Sequence, residues 1–194
     1  MTRTRRSPNL GRAAYGSGVR RVLVTGMSGV GKSTALAALA QRGCDVVDTD
    51  EPGWTDWSEE EDGYVWREER IAELLERDRD VTLYVSGTVS NQGRFDPSFD
   101  AVVLLSAPVD VLLARITTRT TNEYGKSAEQ RALILQHVSE VEPLLRATST
   151  HEVDASRPLD EVVAELVRIG LCDPGCSRSG IVGRQPPSDE GERR

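Results

Sequence analysis

Apolar positions along the chain follow two alternating rhythms. Val22-Leu23-Val24-Thr25 is a short, largely β-branched run of the kind buried in a parallel sheet, and a glycine-rich turn follows it. From Lys32 to Arg42, Leu36, Leu39 and Ala40 recur at helical spacing, and Gly43 supplies a stop. Val46-Val47 forms the core of a second strand. Ile71, Leu74 and Leu75 mark the inner face of a helix over 64–78, Val81 to Val85 reads as a third strand and Ala101 to Leu105 as a fourth. Ser106 and Pro108 open a helix through Val109 to Ile116. Ser127 and Gln130 form a capping box before a helix whose stripe is Ile134, Val138, Val141 and Leu145. His151 to Val153 is a fifth strand, and Pro158 opens a last helix with Leu159, Val162, Val163 and Leu166 inward and Gly170 as its end. Strands alternating with helices predict an α/β fold, a three-layer αβα arrangement around a five-stranded parallel sheet.

Composition narrows this picture. A length of 194 residues suits one domain, read here as 20–170, between a basic tail over 1–19 and a Gly-, Pro- and Ser-rich tail over 171–194, both expected to be flexible. The net charge is −7, and residues 22–170 alone carry 27 acids against 14 bases, a net of −13, which argues against a dedicated nucleic-acid binder. No apolar run approaches the roughly 18 residues of a membrane helix, and the Arg-rich start lacks the apolar stretch of a secretion signal, so a cytoplasmic location is expected. Cys44, Cys172 and Cys176 are too few for a disulfide framework, and His137 and His151 lie far from any catalytic partner in sequence.

The chemistry concentrates after the first strand. Gly26-Met27-Ser28-Gly29-Val30-Gly31-Lys32-Ser33, followed by Thr34, fits the phosphate-binding pattern G-x-x-x-x-G-K-[ST] between a strand and a helix. The glycines let backbone N–H groups point at phosphate oxygens, and the helix N-terminus adds a positive dipole end. Lys32, one of only two lysines in the chain, brings a point charge to the β- and γ-phosphates, and Ser33 offers a hydroxyl to Mg²⁺. ATP and Mg²⁺ are therefore the expected cofactors. Neither the third nor the fourth strand ends in an acid. Acids instead follow the second strand in Asp48-Thr49-Asp50, where an extended continuation puts both carboxylates on one face at the ligand-binding edge of the sheet. One can then hold Mg²⁺ while the other orients or deprotonates an acceptor hydroxyl; a turn or helix cap is the alternative.

With these motifs in place, the chain over roughly 20–170 resembles the small P-loop kinases of the shikimate kinase-like and gluconate kinase-like branch. The resemblance rests on Gly26 to Thr34, on the Asp48-Thr49-Asp50 triplet and on Trp66-Arg67-Glu68-Glu69-Arg70, which is similar to the family's aromatic-Arg segment. It implies a metal role for Asp48, a substrate-hydroxyl role for Asp50 and an anion-binding role for Arg67. Arg67 precedes Ile71 by four positions on the predicted helix, at its inward edge, where it meets either a substrate anion or a neighbouring glutamate. The chain departs from shikimate kinases after the third strand: Ser86 to Phe95 replaces a glycine run, which speaks against shikimate itself. Ser86, Asn91 and Arg94 are candidate substrate contacts there, unless the segment is a plain surface loop.

Thr117 to Lys126 sits where the family has a closing lid, with Arg119 the first candidate to stabilise the transferring phosphate and Arg115 the second. By the same resemblance Arg157 stacks on the adenine. Trp54, Trp57, Tyr64 and Trp66 fall among acids in a short segment that suits an acceptor with a ring face, or simply packs a small subdomain. The expected activity is transfer of the γ-phosphoryl group of Mg-ATP to a hydroxyl of a small metabolite, by a monomer or homodimer acting without nucleic acid or membrane. A nucleoside or nucleotide kinase is the second reading, favoured if Arg67, Arg70 and Arg94 converge on a phosphate; an antibiotic-modifying kinase is a third. A regulatory ATPase is the alternative from a different class.

Overall fold

Strands that are apolar at every position need cover on both faces, and the computed structural model supplies it over the residues it describes, 20–120 and 124–171. In chain order the elements are β1 (Arg21–Thr25), α1 (Lys32–Gln41), β2 (Asp45–Asp48), β3 (Thr55–Ser58), β4 (Gly63–Trp66), α2 (Glu68–Glu76), β5 (Leu83–Ser86), β6 (Ala101–Ser106), α3 (Val109–Thr118), α4 (Ala128–Glu140), α5 (Glu142–Thr148), β7 (His151–Asp154) and α6 (Leu159–Leu171). Five of the strands form one sheet in the order β2-β5-β1-β6-β7, and all of its pairings are parallel. The two expected tails, with Cys172 and Cys176, lie outside the described residues except for Leu171.

Period two decides which side of the sheet each residue serves. Leu23 is in register with Val85 and Val102, and these three meet Ile71, Leu74 and Leu75 of α2 in one buried cluster. Val22 and Val24 point the other way, into a second cluster with Leu36 and Leu39 of α1 and Val162, Val163 and Leu166 of α6. Each such buried aliphatic side chain contributes about 1.5–3 kcal/mol. The three-layer α/β prediction therefore holds, and the parallel registers bring the ends of β1, β2 and β5 to a common edge.

Several expected boundaries move; β5, for one, spans Leu83–Ser86 rather than residues 81–85. The helix predicted over 64–78 begins only at Glu68, because residues 63–66 are β4, paired antiparallel to β3. Cross-strand partners Trp57 and Tyr64 stack edge to face, with ring centroids 5.3 Å apart. The Asn91 side chain accepts from the Trp66 N–H at 2.8 Å and donates to its carbonyl at 3.0 Å, replacing the partners a helix would provide. The long helix predicted through Leu145 is broken at Val141, since Pro143 has no N–H to give and its ring opposes the carbonyl four residues back. Its start is as expected: Ser127 Oγ accepts from the Gln130 N–H at 3.2 Å. Gly170 lies inside α6 rather than ending it.

Trp66 ties the hairpin to the core. It is 1% exposed, its Nε1 donates to Thr49 Oγ1 at 2.8 Å, and its ring meets Phe95 at 5.8 Å. Trp66→Ala is expected to destabilise the fold by about 3–5 kcal/mol, read from the denaturant midpoint. A loss under about 1 kcal/mol would mean that the hairpin is not anchored through this side chain.

Candidate active site

The turn after β1 takes its shape from close packing. Gly26 has φ +142°, and a Cβ there would lie 2.4 Å from the carbonyl oxygen of Leu105, so no other residue fits without displacing β6. Gly31 is the N-cap of α1; no side chain caps the helix and no acid lies in its first turn. The first-turn N–H groups are thus left for an anion. They face a cleft of about 450 Å³ lined by residues 28–35 together with Asp50, Arg115, Arg119 and Arg157, and by the apolar side chains of Leu105, Ala155, Leu159 and Val162. Gly26 and Met27 are buried behind this lining.

Lys32 is buried, and its Nζ donates to the Gly26 carbonyl at 2.7 Å. Burial pulls its pKa below the ordinary lysine value, while the Asp50 and Asp48 charges act to raise it and Arg119 to lower it. Both carboxylates thus act on the lysine, but strand alternation is not what places them. β2 stops at Asp48, and the chain turns there, with the Asp50 N–H donating to Asp48 Oδ1 at 3.2 Å. The extended continuation through Asp50 is not formed; the chain takes the turn that stood as its alternative. Ser86 Oγ also donates to Asp48 Oδ1, at 3.0 Å, so Ser86 reaches the site through Asp48. Asp50 lines the cleft directly.

Ser33 is exposed and lines the same cleft. Among the described residues no group of three or more His, Cys, Asp or Glu side chains is suited to a metal ion. Mg²⁺ needs no such cage, since it keeps several waters and is typically shared between one or two protein ligands and substrate phosphates. Ser33 and Asp48 fit that demand.

The arginines separate into two sets. Arg115 donates to the carbonyls of Val30 at 2.9 Å and Ala155 at 2.8 Å, bracing the phosphate-binding turn against the loop after β7. Arg157 pairs with Glu161 at 2.8 Å at the rim. Arg119 follows α3 and donates to the Tyr124 carbonyl; residues 121–123 of the expected lid lie outside the described residues. Arg67, Arg70 and Arg94 do not line this cleft. Arg67 is not on the inward edge of a helix: it is the extended N-cap of α2, and it pairs with Asp56 at 2.6 Å. Arg70 lies over the Trp54 ring, 4.1 Å from its centroid, and donates to the Gly53 carbonyl at 2.7 Å. Both border a second cleft with Val47, Glu69, Glu73 and Arg77. Arg94 pairs with Glu68 and, at 3.7 Å, with Glu61. Asn91 is buried in the Trp66 clamp already described.

Sequence reasoning missed Thr25, Thr49, Thr88 and Gln92. Thr49 Oγ1 donates to the Ser86 carbonyl at 2.7 Å while accepting from Trp66, which fixes the residue between the two aspartates. Gly87 is required beside it, because a Cβ there would fall 2.2 Å from Thr49 Oγ1. A Thr-Gly-rich stretch at a strand end was the one available signal, and it does not say which hydroxyl faces inward.

A protein-family model described as an AAA domain matches residues 22–136. No curated protein matches the chain. Among solved structures, the chain is similar to the shikimate kinase from Acinetobacter baumannii in complex with shikimate, at 18% identity and a TM-score of 0.55 over 78% of this chain and 92% of that one. The shikimate kinase from Bacteroides thetaiotaomicron gives 18% and 0.56 over 77% and 97%. A gluconokinase from Sinorhizobium meliloti 1021 gives 23% and 0.50 over 79% and 95%. The resemblance read from the motifs is thus met by a shared fold. Among the described residues no helix is long and apolar enough to cross a membrane.

Proposed function

The chain belongs to the AAA-domain family, and from that premise we propose that it is an ATP-dependent phosphotransferase that moves the γ-phosphoryl group of Mg-ATP to a hydroxyl of a small molecule. The observation that carries this reading is the meeting, in one cleft, of an uncapped helix N-terminus, a buried lysine and the carboxylate of Asp50. The N–H groups of Gly29 and residues 31–34 hold the phosphates, and Lys32 sets its ammonium against the β- and γ-oxygens. Ser33 and Asp48 are the Mg²⁺ residues; the ion, when bound, neutralises charge on the transferring group. Asp50 orients the acceptor hydroxyl and takes its proton. Arg119 spreads the developing charge, Arg115 holds the turn in shape, and Leu105, Ala155, Leu159 and Val162, with Arg157 at the rim, form the adenine wall.

The positions of Arg67, Arg70 and Arg94 favour an acceptor without a phosphate of its own. They do not converge on one point, since Arg67 and Arg70 border the second cleft and Arg94 faces Glu61 and Glu68. A nucleotide acceptor would need such a convergence.

ATP consumption against a panel of hydroxylated metabolites tests the reading. A matching acceptor is expected to raise consumption well above hydrolysis to water, and EDTA is expected to abolish it until Mg²⁺ is restored. A flat response across a broad panel, together with retention of a specific protein partner, supports the regulatory ATPase instead.

A further inference from the structure

The carbonyl of Gly26 receives two donors at once: Lys32 Nζ at 2.7 Å and the Thr88 hydroxyl at 2.9 Å. Thr88 comes from the loop after β5, 62 positions away in sequence, and is held on this peptide from two further directions. It accepts from the Gly26 N–H at 3.3 Å, and it shares a hydrogen bond with Thr25 Oγ1 at 3.1 Å. Thr25 is fully buried and also reaches Gln92 Oε1 at 3.3 Å. Thr88 has one proton, and at 2.9 Å the Gly26 oxygen is the acceptor it faces.

In this arrangement Lys32 points at the protein's own backbone. An ammonium that is to meet a nucleotide's phosphates must leave the Gly26 carbonyl, and Gly26 is buried, so an abandoned oxygen there carries the full cost of a missing partner. We propose that Thr88 is a positioning residue for nucleotide binding: it keeps the Gly26 carbonyl satisfied while Lys32 is handed over to the phosphates. The hand-over rests on the nucleotide role given above to Lys32. It differs from a merely structural bond because its value depends on the lysine moving.

The test is the affinity for a fluorescent Mg-ATP analogue, measured by titration in Thr88→Val, Thr88→Ser, Lys32→Ala and the Lys32→Ala/Thr88→Val double variant, each checked for a cooperative melting transition well above the assay temperature. Thr88→Val keeps the shape and removes the donor; it is expected to weaken binding by roughly five- to a hundredfold, with the loss carried in KM for ATP rather than in kcat. Thr88→Ser retains the hydroxyl and is expected to bind within about twofold of the unmodified chain. In the Lys32→Ala background no lysine leaves the carbonyl, so adding Thr88→Val is expected to cost nothing further. The proposal is overturned if Thr88→Val binds normally while Lys32→Ala does not, or if Thr88→Val costs the same in both backgrounds. Unchanged binding in Lys32→Ala alone would overturn the nucleotide reading itself, and the hand-over with it.

Discussion

Lys32→Ala is expected to lower ATP-dependent transfer by about a hundred- to a thousandfold, the scale seen when one preorganised electrostatic group is removed from a developing anion. The lysine is buried beside the Asp48 and Asp50 charges at the start of α1, where its field is poorly screened. The loss is expected to be catalytic rather than structural. Removing the side chain leaves the Gly26 carbonyl with the Thr88 hydroxyl, so no buried acceptor is orphaned. Lys32 also gives a pH signature. Its pKa lies below the ordinary lysine value because of burial, so the alkaline fall of kcat/KM for ATP is expected to begin below that value, as the ammonium is lost from the free protein. Stability runs the other way: between the folded and the ordinary value the native state sheds the proton first, and stability rises with pH across that window. Initial rates and denaturant midpoints over the same pH series separate the two trends.

Asp50→Asn is expected to cost transfer about a hundred- to ten-thousandfold, because an amide of the same shape cannot take the acceptor's proton. Folding is expected to be retained, since the Asp50 side chain faces the cleft and the turn is held by its backbone N–H on Asp48. Asp48→Asn makes the useful contrast. Asp48 accepts from Ser86 and from the Asp50 backbone, and as a Mg²⁺ residue it is expected to raise the Mg²⁺ requirement when changed. If Asp50→Asn turned over near normally on an identified acceptor, its assignment would be wrong.

The phosphate-binding turn was legible in sequence because its physics is local: a strand, a glycine turn and a helix start occupy adjacent positions. The sheet was legible through its apolar runs, with β5 displaced toward Ser86. The hairpin was not, because its decisive bonds are distant ones, Trp66 to Thr49 and to Asn91, and residues 64–78 taken alone read as one amphipathic helix. Arg67 went with that error: once the helix starts at Glu68, the inward edge assigned to Arg67 no longer exists. The break at Val141 had a visible cause in Pro143, outweighed by a stripe that continued in phase. Thr88 illustrates what periodicity cannot reach, a half-buried hydroxyl on a peptide 62 positions away.

The γ-phosphoryl group is expected to go to an organic hydroxyl. Incubation of the protein with γ-labelled ATP, Mg²⁺ and a metabolite extract, followed by separation of the labelled species, tests it most directly. Label is expected on one small hydroxylated product, lost in Lys32→Ala and Asp50→Asn; label found only as inorganic phosphate, at the same rate with and without extract, would mean that no organic hydroxyl accepts the phosphoryl group.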